Sequence, residues 1–240
     1  MTGVQTCALP ILLPPHLPSI DGIELAAHYE AARDGSDVGG DFYDVFESIR
    51  NDWSIVIGDV CGKGPEAAAL TALVRYTIRA AAIQTRRPRL VLKLVNAALL
   101  RQHPEQFCTA AYVRLRREID CARLTISCAG QPLPLVRRRE GSVESVDCAG
   151  RVLGPFPEVH AVDRVVRLEP GDTLLLYTDG VTEARSAVGF FGEERLRDTL
   201  RSCAGSNADD TAKVLERTLN DFHGGHPRDD IAFVVLRVPD

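Results

Sequence analysis

Apolar residues come in short bursts along this chain, and none of the bursts is long. TLLLY at 173–177 and IAFVV at 231–235 are typical, each five aliphatic or aromatic-rich residues bounded within a few positions by Gly, Pro or Asp. Bursts of this length between turn formers read as strands. The same signal predicts strands at 23–29, 42–47, 53–59, 110–116, 122–129, 133–138, 163–168, 173–178 and 231–238. Most are joined by short turn-rich segments, which suit antiparallel neighbours; a parallel pair needs a crossover of about a dozen residues or more. No burst approaches the roughly 20 apolar residues that a membrane-spanning helix requires, so a cytoplasmic, water-soluble chain is expected.

Helices are fewer and longer. Pro65–Ala82 has proline in its first turn and then AAALTALVRYTIRAAA, with Leu70, Leu73, Val74, Thr77 and Ile78 on one face. A second helix over 88–101 carries Leu90, Leu94, Val95 and Ala98, and 193–200 and 208–222 read as two more. The order of strands, paired helices, many strands, helices and a final strand predicts an α+β fold of two antiparallel sheets flanked by helices. No low-complexity tract or solenoid repeat interrupts it, so residues 12–240 form a single domain.

Residues 1–11, MTGVQTCALPI, read differently. They resemble a translated sequencing adapter fused to an open reading frame. A secretory signal would start with Lys or Arg and keep its apolar run intact, whereas this stretch has neither residue and meets Pro10, Pro14 and Pro15. On that reading the native chain extends upstream of Leu12, and Cys7 carries no meaning.

A net charge of −5 supplies no chain-wide basic field, so nucleic acid is not an expected partner. Two short clusters, Arg86, Arg87 and Arg89 and then Arg137, Arg138 and Arg139, read as solvated edges of elements. The seven cysteines lack CxxC or Cys/His zinc spacing and read as small buried side chains in a reducing compartment. His28, His103, His160, His223 and His226 share no spacing and read as surface or core residues.

The chemistry lies in acidic residues that adjoin glycine at strand ends. Gly39–Gly40–Asp41 precedes FYDVF, Gly58–Asp59–Val60 ends SIVIGDV, Thr178–Asp179–Gly180 ends LLLYTDG, and Asp229–Asp230 opens IAFVVLRV. Each alone is an ordinary turn pair. Together they set four carboxylates at ends of apolar strands, where distant parts of a sequence can meet. Carboxylates gathered in a low-dielectric cleft repel one another and stay ionised only with cations between them. Oxygen donors without organised Cys or His suit Mg²⁺ or Mn²⁺, and two such ions sharing a carboxylate can activate water against a phosphate ester.

The motifs VGGDFYD at 38–44, GDVCGKG at 58–64, FCTAAYVRL at 107–115, SCAGQPLPL at 127–135, YTDGVTEAR at 177–185 and RDDIAFVVL at 228–236 follow one another in the order of the metal-dependent protein phosphatases. The chain most resembles their bacterial SpoIIE/RsbU-type serine phosphatase branch, from about Leu12 to Asp240. The resemblance implies a four-layer α/β/β/α sandwich and two divalent cations, Mn²⁺ or Mg²⁺. It implies that Asp59 bridges both ions, that Asp41 and the Val60 carbonyl complete one shell, and that Asp179 and Asp229 hold the other. Asp44 and Asp230 are expected to bond metal-bound water, Lys63 is weighed as a phosphate contact against a solvated loop lysine, and Gly58, Gly62 and Gly64 are expected to bend the loop beside the ions. Gln131 stands where the branch usually has histidine, which removes a proton donor there. The implied substrate is a phosphoserine on a partner protein, typically an anti-sigma-factor antagonist, with an upstream sensor domain in control and a homodimer allowed. Two other functions stay open at this point: a phosphatase fold reduced to a binding module, and a small-molecule phosphomonoesterase.

Overall fold

Strand β1 (Glu24–Glu30) is followed by a hairpin of β2 (Asp41–Ile49) and β3 (Asp52–Val60), two helices, α1 (Pro65–Ala82) and α2 (Pro88–Gln102), and a second hairpin of β4 (Cys108–Arg117) and β5 (Ala122–Ala129). Then come β6 (Leu135–Arg137), β7 (Val143–Ser145), β8 (Arg164–Leu168), β9 (Thr173–Tyr177), a single helical turn α3 (Asp179–Thr182), a small hairpin of β10 (Arg185–Ser186) and β11 (Gly189–Phe190), α4 (Gly192–Ser202), α5 (Ala208–His223) and β12 (Ile231–Arg237). The computed structural model describes residues 13–14, 16–32, 39–49, 51–187 and 189–240. The segment 1–11 with its Cys7, and the Val38 that opens VGGDFYD, lie outside the described residues.

The strands form two five-stranded antiparallel sheets, ordered β2-β3-β4-β5-β8 and β1-β12-β9-β6-β7. Side chains alternate between faces along a strand, which explains how β3 serves two cores. Ile55 and Ile57 meet Val113, Leu124, Leu174 and Val234 between the sheets. Val56, with Phe42 and Tyr112, instead faces Leu70, Val74, Ile78, Leu92 and Leu99 of α1 and α2. On the far side Leu175, Phe233 and Val235 pack under Leu196, Leu200, Leu215 and Leu219 of α4 and α5. The layers therefore run helix, sheet, sheet, helix, as the motif order implied.

Three local expectations need correction. In α2 the buried stripe is Val91, Leu92, Val95, Asn96 and Leu99, while Leu94 is 42% exposed, because a nearly continuous apolar run leaves the phase of a helix undecided. The strand expected at 133–138 shrinks to Leu135–Arg137, since Pro132 and Pro134 supply no amide hydrogen for pairing. Arg137 is not solvated: it lies fully buried, and its Nη2 donates to Thr173 Oγ1 at 2.7 Å. It shares a strand face with Leu135, which is covered by α4 and α5.

Candidate active site

The β2–β3 hairpin sets Asp41 directly opposite Asp59. Asp59 lies two and four positions beyond Ile57 and Ile55, so its side chain and that of Asp41 point toward the second sheet. There β9 ends at Tyr177, handing over to Thr178 and Asp179, and β12 begins just after Asp229 and Asp230. Thr178 fastens the junction. Its Oγ1 donates to Asp41 Oδ2 at 2.6 Å and accepts from the Ala232 amide at 3.0 Å. Asp230 is pinned through its Oδ1, which accepts from the Ala32 amide at 2.8 Å.

Two of the glycines are required here, one by close approach and one by its backbone conformation. A Cβ on Gly40 would collide with both Asp59 Oδ1 and the Val60 carbonyl oxygen, so glycine keeps open the point onto which these two oxygens converge. Gly64, at φ +80°, turns the chain from this loop into α1, whose first helical residue is Pro65.

The carboxylates perturb one another. Burial first, and then the charge of Asp59, push Asp41 well above the usual carboxylate range, against the stabilising bond from Thr178. Asp59 is raised to about 7 by burial and by Asp179, Asp229 and Asp230, with Lys63 pulling the other way. Asp179 is raised by burial and by Asp229, partly offset by the Gly180 amide. Among the described residues no three carboxylate, thiol or imidazole groups close on one point. An ion here would take one or two carboxylates together with the Val60 carbonyl and water, the shell Mg²⁺ prefers. The donor set is all oxygen, and the nearby Cys108 thiol, pushed up by burial and by Asp59, stays protonated. The residues fit hard divalent cations.

The structure thus brings Asp41, Asp59, Asp179, Asp229, Asp230 and the Val60 carbonyl to one end of the sandwich, with the exposed Lys63 near enough to temper Asp59. Asp44 does not join them. It lies an odd number of positions from Asp41 on β2 and so faces the helices, where it accepts from Arg79 Nε at 2.8 Å and Nη2 at 2.9 Å, with Arg75 Nη2 3.1 Å away. Two residues take on roles that the sequence did not disclose. Thr178 is one, although its place beside Asp179 was a usable signal. Gln131 is the other: its Oε1 accepts from Thr109 Oγ1, its Nε2 donates to the Tyr177 carbonyl at 3.1 Å, and Thr109 sits opposite Asp59. Gln131 therefore ties one sheet to the other beneath the acidic cluster. A cavity of about 200 Å³, lined in part by Glu183, Arg185, Arg228 and Asp229, opens beside it.

Comparison with known proteins agrees with this architecture. Protein IcfG of Synechocystis sp. is 27% identical over 251 residues, covering 93% of this chain and 39% of its own length. Phosphoserine phosphatase RsbU of Bacillus subtilis is 26% identical over 228 residues, covering 94% of this chain and 66% of RsbU, so the chain spans from about two fifths to two thirds of these relatives. The solved SiaA-PP2C domain of Pseudomonas aeruginosa superposes with a TM-score of 0.77 at 27% identity, covering 89% of this chain and 85% of that one. The family model for stage II sporulation protein E (SpoIIE) matches residues 50–239. By that match, and by the PP2C-type sandwich that frames the acidic cluster, the chain belongs to the SpoIIE family.

Proposed function

We propose that this chain is a metal-dependent protein serine/threonine phosphatase that removes phosphate from a phosphoserine on a partner protein. The observation that carries the reading is the convergence of Asp41, Asp59, Asp179 and Asp229 from four strand ends, where burial and mutual repulsion hold three of them above the ordinary acid range. Bare anions in such a cluster are costly, and cations relieve that cost. In this reading Asp59, Asp41, the Val60 carbonyl, Asp179 and Asp229 would hold divalent cations, Mn²⁺ or Mg²⁺, with Asp59 the shared carboxylate. When bound, such ions supply Lewis acidity, lowering the pKa of water and offsetting phosphate charge.

The chain's own groups do the positioning. Thr178 Oγ1 holds Asp41 in one orientation, and Gln131 ties Thr109, the β4 residue opposite Asp59, to the strand end that leads to Asp179. Lys63, on the exposed loop beside Asp59, is set to attract a phosphate dianion. The reading is direct attack by water; the Cys108 thiol, protonated and fully buried, is unsuited to form a phosphoenzyme.

Similarity to the phosphoserine phosphatase RsbU supports phosphoserine as the substrate class. The proposed partner is a small regulatory protein switched by one phosphoserine, an anti-sigma-factor antagonist, with a sensor domain controlling the reaction. The test is hydrolysis of an aryl phosphate and of a phosphoserine protein, with and without Mn²⁺. Both activities are expected to require the ion and to stop in EDTA. Undiminished turnover in excess EDTA, with metal content confirmed as zero, overturns the mechanism; aryl phosphate turnover with no hydrolysis of any phosphoserine protein overturns the substrate class.

A further inference from the structure

The net charge of −5 conceals an uneven distribution. Strand register pairs Asp52 with Arg116, Arg116 with Arg123, and Arg123 with Arg167, so these four residues form one row across β3, β4, β5 and β8. The row shares a face with Tyr112, which the helices α1 and α2 cover. Arg116 and Arg123 lie beyond that cover and are exposed. Directly opposed residues of an antiparallel pair have Cβ atoms about 4.5–5.5 Å apart, and like charges there destabilise the sheet. Two successive arginine pairs therefore work against the fold.

The ends of the row are relieved and its middle is not. Arg167 Nε lies 2.8 Å from Glu169, and Arg116 Nε lies 3.3 Å from Asp52. The Asp52 carboxylate has nothing to spare, because it is buried and already shared with Arg114 and Arg86. Among the described residues Arg123 has no carboxylate partner. Arg86 also brings the α1–α2 connection to this face, with the exposed Arg87 beside it.

The shape of the surface selects the kind of anion. β8 is the last strand of its sheet, so one side of its backbone has no strand neighbour; there Arg138 Nη1 already donates to the Arg167 carbonyl at 2.8 Å, so an added chain would pair along the edge at Val165. Val165, on the same face as Arg167, is 55% exposed. A strand edge offers main-chain hydrogen bonds to another extended chain and nothing comparable to a lipid headgroup. We propose that this face docks an extended acidic segment of a partner protein, lying along β8 with a carboxylate opposite Arg167, so that the row of arginines ends on counter-charges. The surface stands apart from the acidic cluster: Asp52 and Asp59 occupy opposite ends of β3, separated by about 23 Å at the strand rise per residue.

The experiment uses the full chain and a fluorescein-labelled octaglutamate peptide, read by fluorescence anisotropy at low and high salt. Arg123→Glu and Arg167→Glu should each weaken binding at least tenfold. Arg217→Glu, an identical charge change on the exposed side of α5, should leave it within twofold. Because Arg123 is flanked by two arginines, Arg123→Glu should also raise the urea midpoint, so that lost binding is not lost folding. Equal weakening by Arg217→Glu, wild-type binding by Arg123→Glu, or a lowered urea midpoint for Arg123→Glu overturns the proposal. So does tighter, Arg123-dependent binding to phosphatidylserine vesicles or to a single-stranded oligonucleotide than to the peptide.

Discussion

Asp44→Ala separates an anchor for α1 from a contributor to the acidic cluster. The Asp44 carboxylate is buried and takes both Arg79, through two hydrogen bonds, and Arg75. Removing one partner of a buried pair costs about 3–5 kcal/mol, mostly because the other charge is left uncompensated. Arg79 has a 41% exposed side chain and rests on the Phe46 ring at 4.5 Å, so water can take over its charge. Arg75, with a side chain only 9% exposed, is reached less by water. The loss should therefore fall near the lower end, about 3 kcal/mol, or a fall in melting temperature of about 6–12 °C for a domain of this size. Urea unfolding followed by circular dichroism measures it. The double variant Asp44→Leu with Arg75→Met, which replaces a buried ion pair by apolar side chains, should recover most of the loss. A cost below about 1 kcal/mol, accompanied by loss of phosphatase activity in the folded protein, would show that Asp44 acts on the reaction and would refute the anchoring argument.

Asp59→Asn should abolish turnover yet raise the urea midpoint of metal-free protein, because it removes a charge that burial and its neighbours oppose; a lowered midpoint would contradict the repulsion. The pH dependence follows from the same group. Its value is raised from 3.8 to about 7, so the stability it contributes is present below the free-chain value and is lost as pH rises through about 7. Metal-free protein should thus melt higher at pH 5 than at pH 8 as far as this group is concerned, and Mn²⁺ should stabilise more at pH 8, where the carboxylate is ionised. Thermal melts in EDTA and in Mn²⁺ at the two pH values check both signs. Thr178→Val should cost about 10–100-fold in metal affinity or activity by freeing Asp41, measured by Mn²⁺ titration of turnover, and an unchanged titration would remove Thr178 from the site.

The strands, their antiparallel pairing, the positions of α1 and α5 and the acidic motifs at strand ends were legible without coordinates. These depend on period, turn residues and spacing, which are local properties of a chain. The opposite orientation of Asp44 was legible too, since three positions along a strand reverse the face, but the family resemblance drew it toward the cluster. β7, β10 and β11 run only two or three residues and carry no period to detect. The buried stripe of α2, the burial of Arg137 and the arginine row across β4, β5 and β8 depend on which surface meets which. So do the ties that Thr178 and Gln131 make between the sheets, where partners lie 137 and 46 residues apart. Local periodicity determined what each segment becomes. Only the stacking of two sheets decided that the Asp41–Asp59 pair meets Asp179 and Asp229, because that distance is set by the core between the sheets and by no spacing within the chain.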